Sequence, residues 1–178
     1  MRIAVTGTYS VGKTTFINDL HVALLNKKER ITIINEVARS LIKRGFKITP
    51  LTEFGITNYM KEYLEWERET EGDIVISDRS LLDLLSYITI DNSPLVRKVY
   101  LDLIKEVWLM EKERFDVYLY LPIEFALDQD GARSPDEKYR KAVDRQIMNF
   151  IKMYNLNHVT IRGSRSKRVD AAIKALGL

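Results

Sequence analysis

Gly7-Thr8-Tyr9-Ser10-Val11-Gly12-Lys13-Thr14 is the stretch that decides how the rest of the chain is read. It fits G-x-x-x-x-G-K-[ST] without a mismatch, and each part of that pattern answers to a need of a phosphate chain. Phosphate oxygens approach a backbone closely only where no side chain intervenes, and Gly7 and Gly12 leave that room while allowing backbone angles other residues avoid. Successive N–H groups from Thr8 through Val11 can then turn toward a β-phosphate, helped by the positive end of a helix beginning near Lys13. Lys13 supplies a mobile positive charge for the outer phosphates. The Thr14 hydroxyl suits a Mg²⁺ ligand, and Thr15 offers a second hydroxyl at a less favourable spacing. The flanks support the motif. A β-branched run, Arg2–Thr6, precedes it, and Phe16, Leu20, Ala23 and Leu24 follow at helical spacing. The expectation is a site for Mg²⁺ and a nucleoside triphosphate.

Outward from the loop, compact β-branched or apolar runs recur at 31–35, 73–77, 117–121 and 159–161, which read as strands. Helical patterns fill the intervals at 36–44, 51–69, 81–90, 94–114, 138–154 and 166–176. Thr49-Pro50 is expected to open the third helix, and Pro94 to stand at the start of the fifth. Strands alternating with helices predict a parallel sheet covered on both faces, a three-layer α/β domain. No internal repeat or domain boundary is visible, so residues 1–178 read as one domain.

Composition narrows the classes. The chain has 178 residues, 46% of them hydrophobic and 30% charged, the balance of a soluble globular protein. No run approaches the ~18 apolar residues of a membrane span, and the N-terminal residues lack a signal peptide's apolar core. With no Cys, disulfides and thiolate chemistry are excluded, and His21 and His158 are too far apart in sequence for a structural metal cluster. These features point to the cytoplasm. Charge is uneven: residues 131–178 carry eleven Lys and Arg against four Asp and Glu, a local net of +7, while the first 130 residues net −4. A basic third suits an anionic ligand, or equally a solvated helix face.

The metal needs an acid, and Asp78 follows 73–77 at a strand's carboxyl end, on the loop's edge of the sheet. It could also cap the helix starting near Ser80. Glu36 ends the second strand in the same way, placed to accept a proton from an attacking hydroxyl, to bind the metal through water, or to pair with Arg39 one turn on. After the fourth strand, the polar stretch Asp128-Gln129-Asp130-Gly131-Ala132-Arg133 reads as part of a lid spanning 124–140. Arg133 is its candidate for neutralising a transferred phosphoryl group, with Arg140 and Arg145 read as helix-surface residues. Gly163 and Ser164 form a turn against which a base ring could lie. Tyr59, Tyr63 and Trp66 share a helix face and read as core first, as a stacking platform second.

The order of these motifs, with E-V-A-R at 36–39, D-R-S at 78–80, D-G-A-R at 130–133 and R-G-S at 162–164, resembles the P-loop kinases of nucleosides and nucleotides. It is most similar to their ribosylnicotinamide-kinase-like branch of small AAA-type ATPases, through Asp78-Arg79-Ser80-Leu81-Leu82-Asp83 and Tyr87. The resemblance implies a P-loop NTPase fold with five parallel strands ordered 2-3-1-4-5 and ATP as phosphoryl donor. It implies acceptor or metal binding for Asp78, phosphate contacts for Arg79, and a general-base role for Glu36. The nucleotidyltransferase and DNA-binding parts of multifunctional relatives have no counterpart in these residues, so an NAD-biosynthetic role is not expected. The expected activity is a kinase acting from Mg-ATP on a nucleoside, nucleotide or related metabolite. A nucleoside triphosphatase is the alternative, and a nucleic-acid-binding or end-phosphorylating protein ranks last. A homodimer is compatible with these features, and no membrane partner is expected.

Overall fold

The computed structural model describes residues 1–25, 27–47, 50–126 and 136–178. Strand β1 (Arg2–Thr6) lies at the centre of a five-stranded sheet ordered β2-β3-β1-β4-β5. The others are β2 (Ile31–Ile34), β3 (Ile74–Asp78), β4 (Val117–Tyr120) and β5 (His158–Thr160), and every pairing is parallel. Parallel neighbours require crossovers, which helices supply. They are α1 (Lys13–Leu24), α2 (Val37–Lys43), α3 (Glu53–Glu69), α4 (Leu81–Asp91), α5 (Lys98–Glu111), α6 (Glu137–Met153) and α7 (Arg165–Leu176). Among the described residues no helix is long and apolar enough to cross a membrane.

Side-chain alternation along the strands builds two cores. Ile3, Val5, Ile74, Ile76 and Leu119 pack under Phe16 and Leu20 of α1 and Val169 and Ala172 of α7. Ala4, Tyr118 and Tyr120 point the other way, toward Tyr63, Ile88, Ile104, Trp108 and Ile147 of α3 to α6. The result is the expected three layers in the expected strand order. Because all five strands are parallel, all five carboxyl ends meet on one edge, where an open α/β sheet places its ligands.

Two helix starts differ from expectation. The third helix begins at Glu53, capped by Thr52, whose hydroxyl accepts from Gly55 N at 3.1 Å, while Thr49 of the expected Thr49-Pro50 opening lies outside the described residues. Pro94 lies in a turn, and α5 starts four residues later at Lys98, while a 3₁₀ turn over Lys112–Arg114 finishes that segment. The Tyr59, Tyr63 and Trp66 face is core: Tyr59 and Tyr63 are buried with rings 6.3 Å apart, and Trp66 packs half-buried against them.

Candidate active site

The phosphate loop joins β1 to α1 at the sheet's carboxyl edge. Gly7 has φ +145°, and a Cβ there would sit 2.4 Å from the Leu121 carbonyl oxygen, so no side chain fits. Gly12, the N-cap of α1, has φ +83°. Tyr9 and Val11 bury their side chains, and the Tyr9 hydroxyl donates to Asp136 O at 3.0 Å. Lys13 is buried and its Nζ donates to Gly7 O at 2.8 Å and Thr8 O at 2.7 Å. Burial, and next the Arg79 charge, bring its ammonium down to about 7 against the opposing pull of Asp83, Asp78 and Glu36. Such a cation is strongly favoured by an anion arriving beside it.

Thr14 and Asp78, named separately from the sequence, meet here: Thr14 Oγ1 donates to Asp78 Oδ2 at 3.0 Å. The second oxygen, Asp78 Oδ1, is buried without a hydrogen-bond partner among the described residues. A hydroxyl and a carboxylate with an unsatisfied oxygen form a hard-oxygen donor set that fits Mg²⁺, which otherwise keeps waters and phosphate oxygens. Thr15 is exposed on the next helical position. The capping alternative for Asp78 is overturned, because Ser80 caps α4 and Asp83 completes the capping box by accepting from Ser80 N at 3.0 Å.

Glu36 lies at the other side of the loop, joined to it through Arg79. Arg79 Nε donates to Glu36 Oε1 at 2.8 Å, and its Nη1 donates to Gly7 O at 3.4 Å. Arg79 is buried with φ +85°, a costly conformation for a residue with a Cβ, held by Arg79 N to Val5 O at 3.0 Å and Ser77 Oγ to Arg79 O at 2.7 Å. Glu36 also pairs with Arg39 at 3.1 Å, the ion pair that the sequence offered for this residue. Burial would raise its carboxyl, but Arg79, Lys13 and Arg39 overcome it and hold the pKa at about 2. Asp83 goes the other way: burial raises it against Arg79, Lys13 and the N–H groups of Ser80 and Gly7.

Asp83 reaches the loop directly, accepting from Gly7 N at 3.3 Å. It stood in the quoted D-R-S stretch without a role. The Ser80-to-Asp83 spacing was the signal, since a capping carboxylate at that strand end lies beside the loop. Arg140 corrects the sequence reading: it is fully buried against the loop, not on the helix surface, whereas Arg145 is exposed as expected. Arg168 and Glu124 were missed. Glu124 Oε2 accepts from Gly163 N at 2.9 Å and from Arg168 Nη2 at 2.8 Å, fixing the Gly163-Ser164 turn beside the loop. Arg133, and with it 127–135 of the lid, lies outside the described residues. Among the described residues no cluster of three or more His, Cys, Asp or Glu could hold a metal by itself.

A family model for an AAA domain matches residues 2–168. The chain belongs to that AAA domain family. No curated protein matches it. Solved structures do. NadR in complex with NR superposes with a TM-score of 0.78 at 19% identity, covering 99% of this chain and 52% of that one. Thymidylate kinase from Ehrlichia chaffeensis gives 0.70 at 14% identity, covering 100% and 98%. Deoxyadenosine kinase from M. mycoides with bound dATP gives 0.66 at 17% identity, covering the whole of both chains. At these identities the likeness is one of fold, the P-loop nucleoside and nucleotide kinase-like fold.

Proposed function

We propose that residues 1–178 act as a P-loop phosphotransferase that moves the γ-phosphoryl group of ATP to a hydroxyl of a nucleoside, nucleotide or related metabolite. The observation that carries this reading is Glu36, a carboxylate ionised at neutral pH and tied through Arg79 to the first carbonyl of the phosphate loop. The same carboxylate would serve to orient water in a triphosphatase, so the identity of the acceptor separates the two readings.

In this reading Lys13 leaves Gly7 O and Thr8 O for the outer phosphates, and the amides from Thr8 to Thr15 hold the rest of the donor. Thr14 and Asp78 would hold Mg²⁺. The ion, when bound, neutralises charge on the phosphate oxygens. Glu36 accepts a hydrogen bond from the acceptor hydroxyl and points its oxygen at phosphorus. The acceptor oxygen then bonds to the γ-phosphorus, the bond from phosphorus to the bridging oxygen breaks, ADP leaves with that electron pair, and the hydroxyl proton passes to Glu36. A weakly basic carboxylate suffices because the proton departs late in a loose transition state. Arg79 keeps Glu36 in place and offers its guanidinium to the transferred group, a task the sequence also assigns to Arg133. Gly163 and Ser164 back the donor's base. The fold neighbours solved with dATP and with NR support a nucleotide and a ribose-bearing acceptor as partners.

The experiment is a screen of nucleosides, nucleotides and pyridine ribosides with γ-labelled ATP. Label on an acceptor supports the kinase, and label released only as free phosphate in every case refutes it in favour of the triphosphatase.

A further inference from the structure

Every carbonyl from Gly7 to Gly12 is held by a donor, and those of Tyr9, Ser10 and Val11 are held from far along the chain. Lys13 holds those of Gly7 and Thr8, and Phe16 N takes Gly12 O at 2.9 Å as the first bond of α1. The three between belong to two arginines outside the motif. Arg140, on α6, donates Nε–H to Tyr9 O at 3.2 Å and Nη2–H to Ser10 O at 2.9 Å. Arg168, on α7, donates Nη1–H to Val11 O at 2.8 Å. Both are buried, at 0% and 4% exposure. Each is also fixed from behind. Arg140 Nη1 donates to Phe125 O at 3.1 Å and Glu137 Oε2 at 3.2 Å. Arg168 donates to Gly163 O at 3.1 Å and Glu124 Oε2 at 2.8 Å, with its guanidinium 4.9 Å from the centre of the Phe125 ring.

A trans peptide unit points its C=O and its N–H in opposite directions. Pinning Tyr9 O, Ser10 O and Val11 O on the arginine side therefore turns the N–H groups of Ser10, Val11 and Gly12 to the opposite side, where phosphate must lie. The loop's own residues do not enforce this. Ser10 at φ +55° and Gly12 at φ +83° occupy left-handed angles that an unrestrained loop leaves easily. A buried guanidinium is well suited to the task, because its donors leave in fixed directions and two of them can bind adjacent carbonyls.

We propose that Arg140 and Arg168 are positioning residues for the donor's β-phosphate, acting through the backbone of Tyr9, Ser10 and Val11 without touching the nucleotide. This rests on the loop being the nucleotide site. Two buried cations would also raise the local positive potential, so charge and geometry must be separated. Lysine does that: it keeps the charge and loses the fork.

The test is calorimetric titration of the full chain and of R140K, R140M, R168K and R168M with ADP and with AMP, and a melting curve on each preparation. ADP occupies the loop with its β-phosphate, whereas AMP lacks that group. Loss of charge-assisted bonds to the loop predicts an ADP Kd raised about tenfold to a hundredfold in the Met variants and about tenfold in the Lys variants, with AMP changed by less than about threefold. Equal losses for ADP and AMP would reduce the arginines to structural supports, as would ADP affinity retained at a lowered melting temperature. Lys variants that bind ADP like the wild type beside weakened Met variants would show that charge alone matters, and would also overturn the proposal. Where a Met variant fails to fold, the Lys variant carries the comparison. Phosphoryl transfer is read separately. A wild-type chain that prefers ADP and loses it in R140K yet labels no acceptor removes the kinase reading and leaves this one standing. A wild-type chain that binds ADP no better than AMP overturns both.

Discussion

Replacing Glu36 by Gln keeps the side chain's shape and removes its charge, so it tests the ion pair and the chemistry together. Glu36 Oε1 accepts from Arg79 Nε at 2.8 Å and Oε2 lies 3.1 Å from Arg39 Nε. Burial works against the charged form, but Arg79 first, then Lys13 and Arg39, hold the carboxyl at about 2. An unfolded Glu titrates near ~4.3. The folded value is the lower one, so the pairing contributes stability above ~4.3 and loses it as pH falls from there toward about 2. The difference corresponds to roughly 3 kcal/mol. Arg79 keeps a second carboxylate, Asp83, at 3.5 Å, so E36Q should lose less, about 2 kcal/mol at pH 7. Urea unfolding of both proteins between pH 7 and pH 3 measures this, and the wild type's advantage should shrink below about pH 4. On the same preparations, transfer to an acceptor should fall ~10²- to 10⁴-fold with ATP affinity nearly unchanged. Equal stabilities at pH 7, or a difference that ignores pH, would refute the ion-pair reasoning. Transfer near the wild-type rate would remove Glu36 from the chemistry.

Lys13→Ala removes the ammonium that meets the outer phosphates, so turnover should vanish and ATP binding should weaken by more than AMP binding, as titrations with each nucleotide would show. Gly7→Ala forces a Cβ to 2.4 Å from the Leu121 carbonyl oxygen at a φ of +145°, so the loop must move; nucleotide binding should be lost together with several degrees of melting temperature. The basic residues of 131–178 include Arg140 and Arg168, buried against the loop, and Arg165, paired with Asp19. Binding to single- or double-stranded DNA should accordingly be weak and disappear by about 0.2 M salt in an anisotropy titration, and tight, salt-resistant binding would contradict the small-molecule reading.

Local chemistry made much of this protein legible in its sequence. Gly7, Gly12, Lys13 and Thr14 carry their constraints in residue type and spacing, because backbone angles and phosphate contact are set within eight consecutive positions. Short β-branched runs alternating with helical periods were enough for a parallel sheet, and strand ends then put Glu36 and Asp78 on the loop's edge. Helix starts were less legible, since several residues favour a boundary there; the Thr52 hydroxyl caps α3, and Pro94 lies in a turn four residues before α5. Distance along the chain hid the rest. Asp83 contacts Gly7 across 76 positions, Arg140 reaches Tyr9 across 131 and Arg168 reaches Val11 across 157. A charged residue on an amphipathic helix reads as solvent-facing until its guanidinium has carbonyls to satisfy, and the carbonyls of Tyr9, Ser10 and Val11 lie far from both arginines in the sequence. Which arginines are surface and which hold the phosphate loop was therefore decided by the packing of α6 and α7 against it, a relation no local spacing encodes.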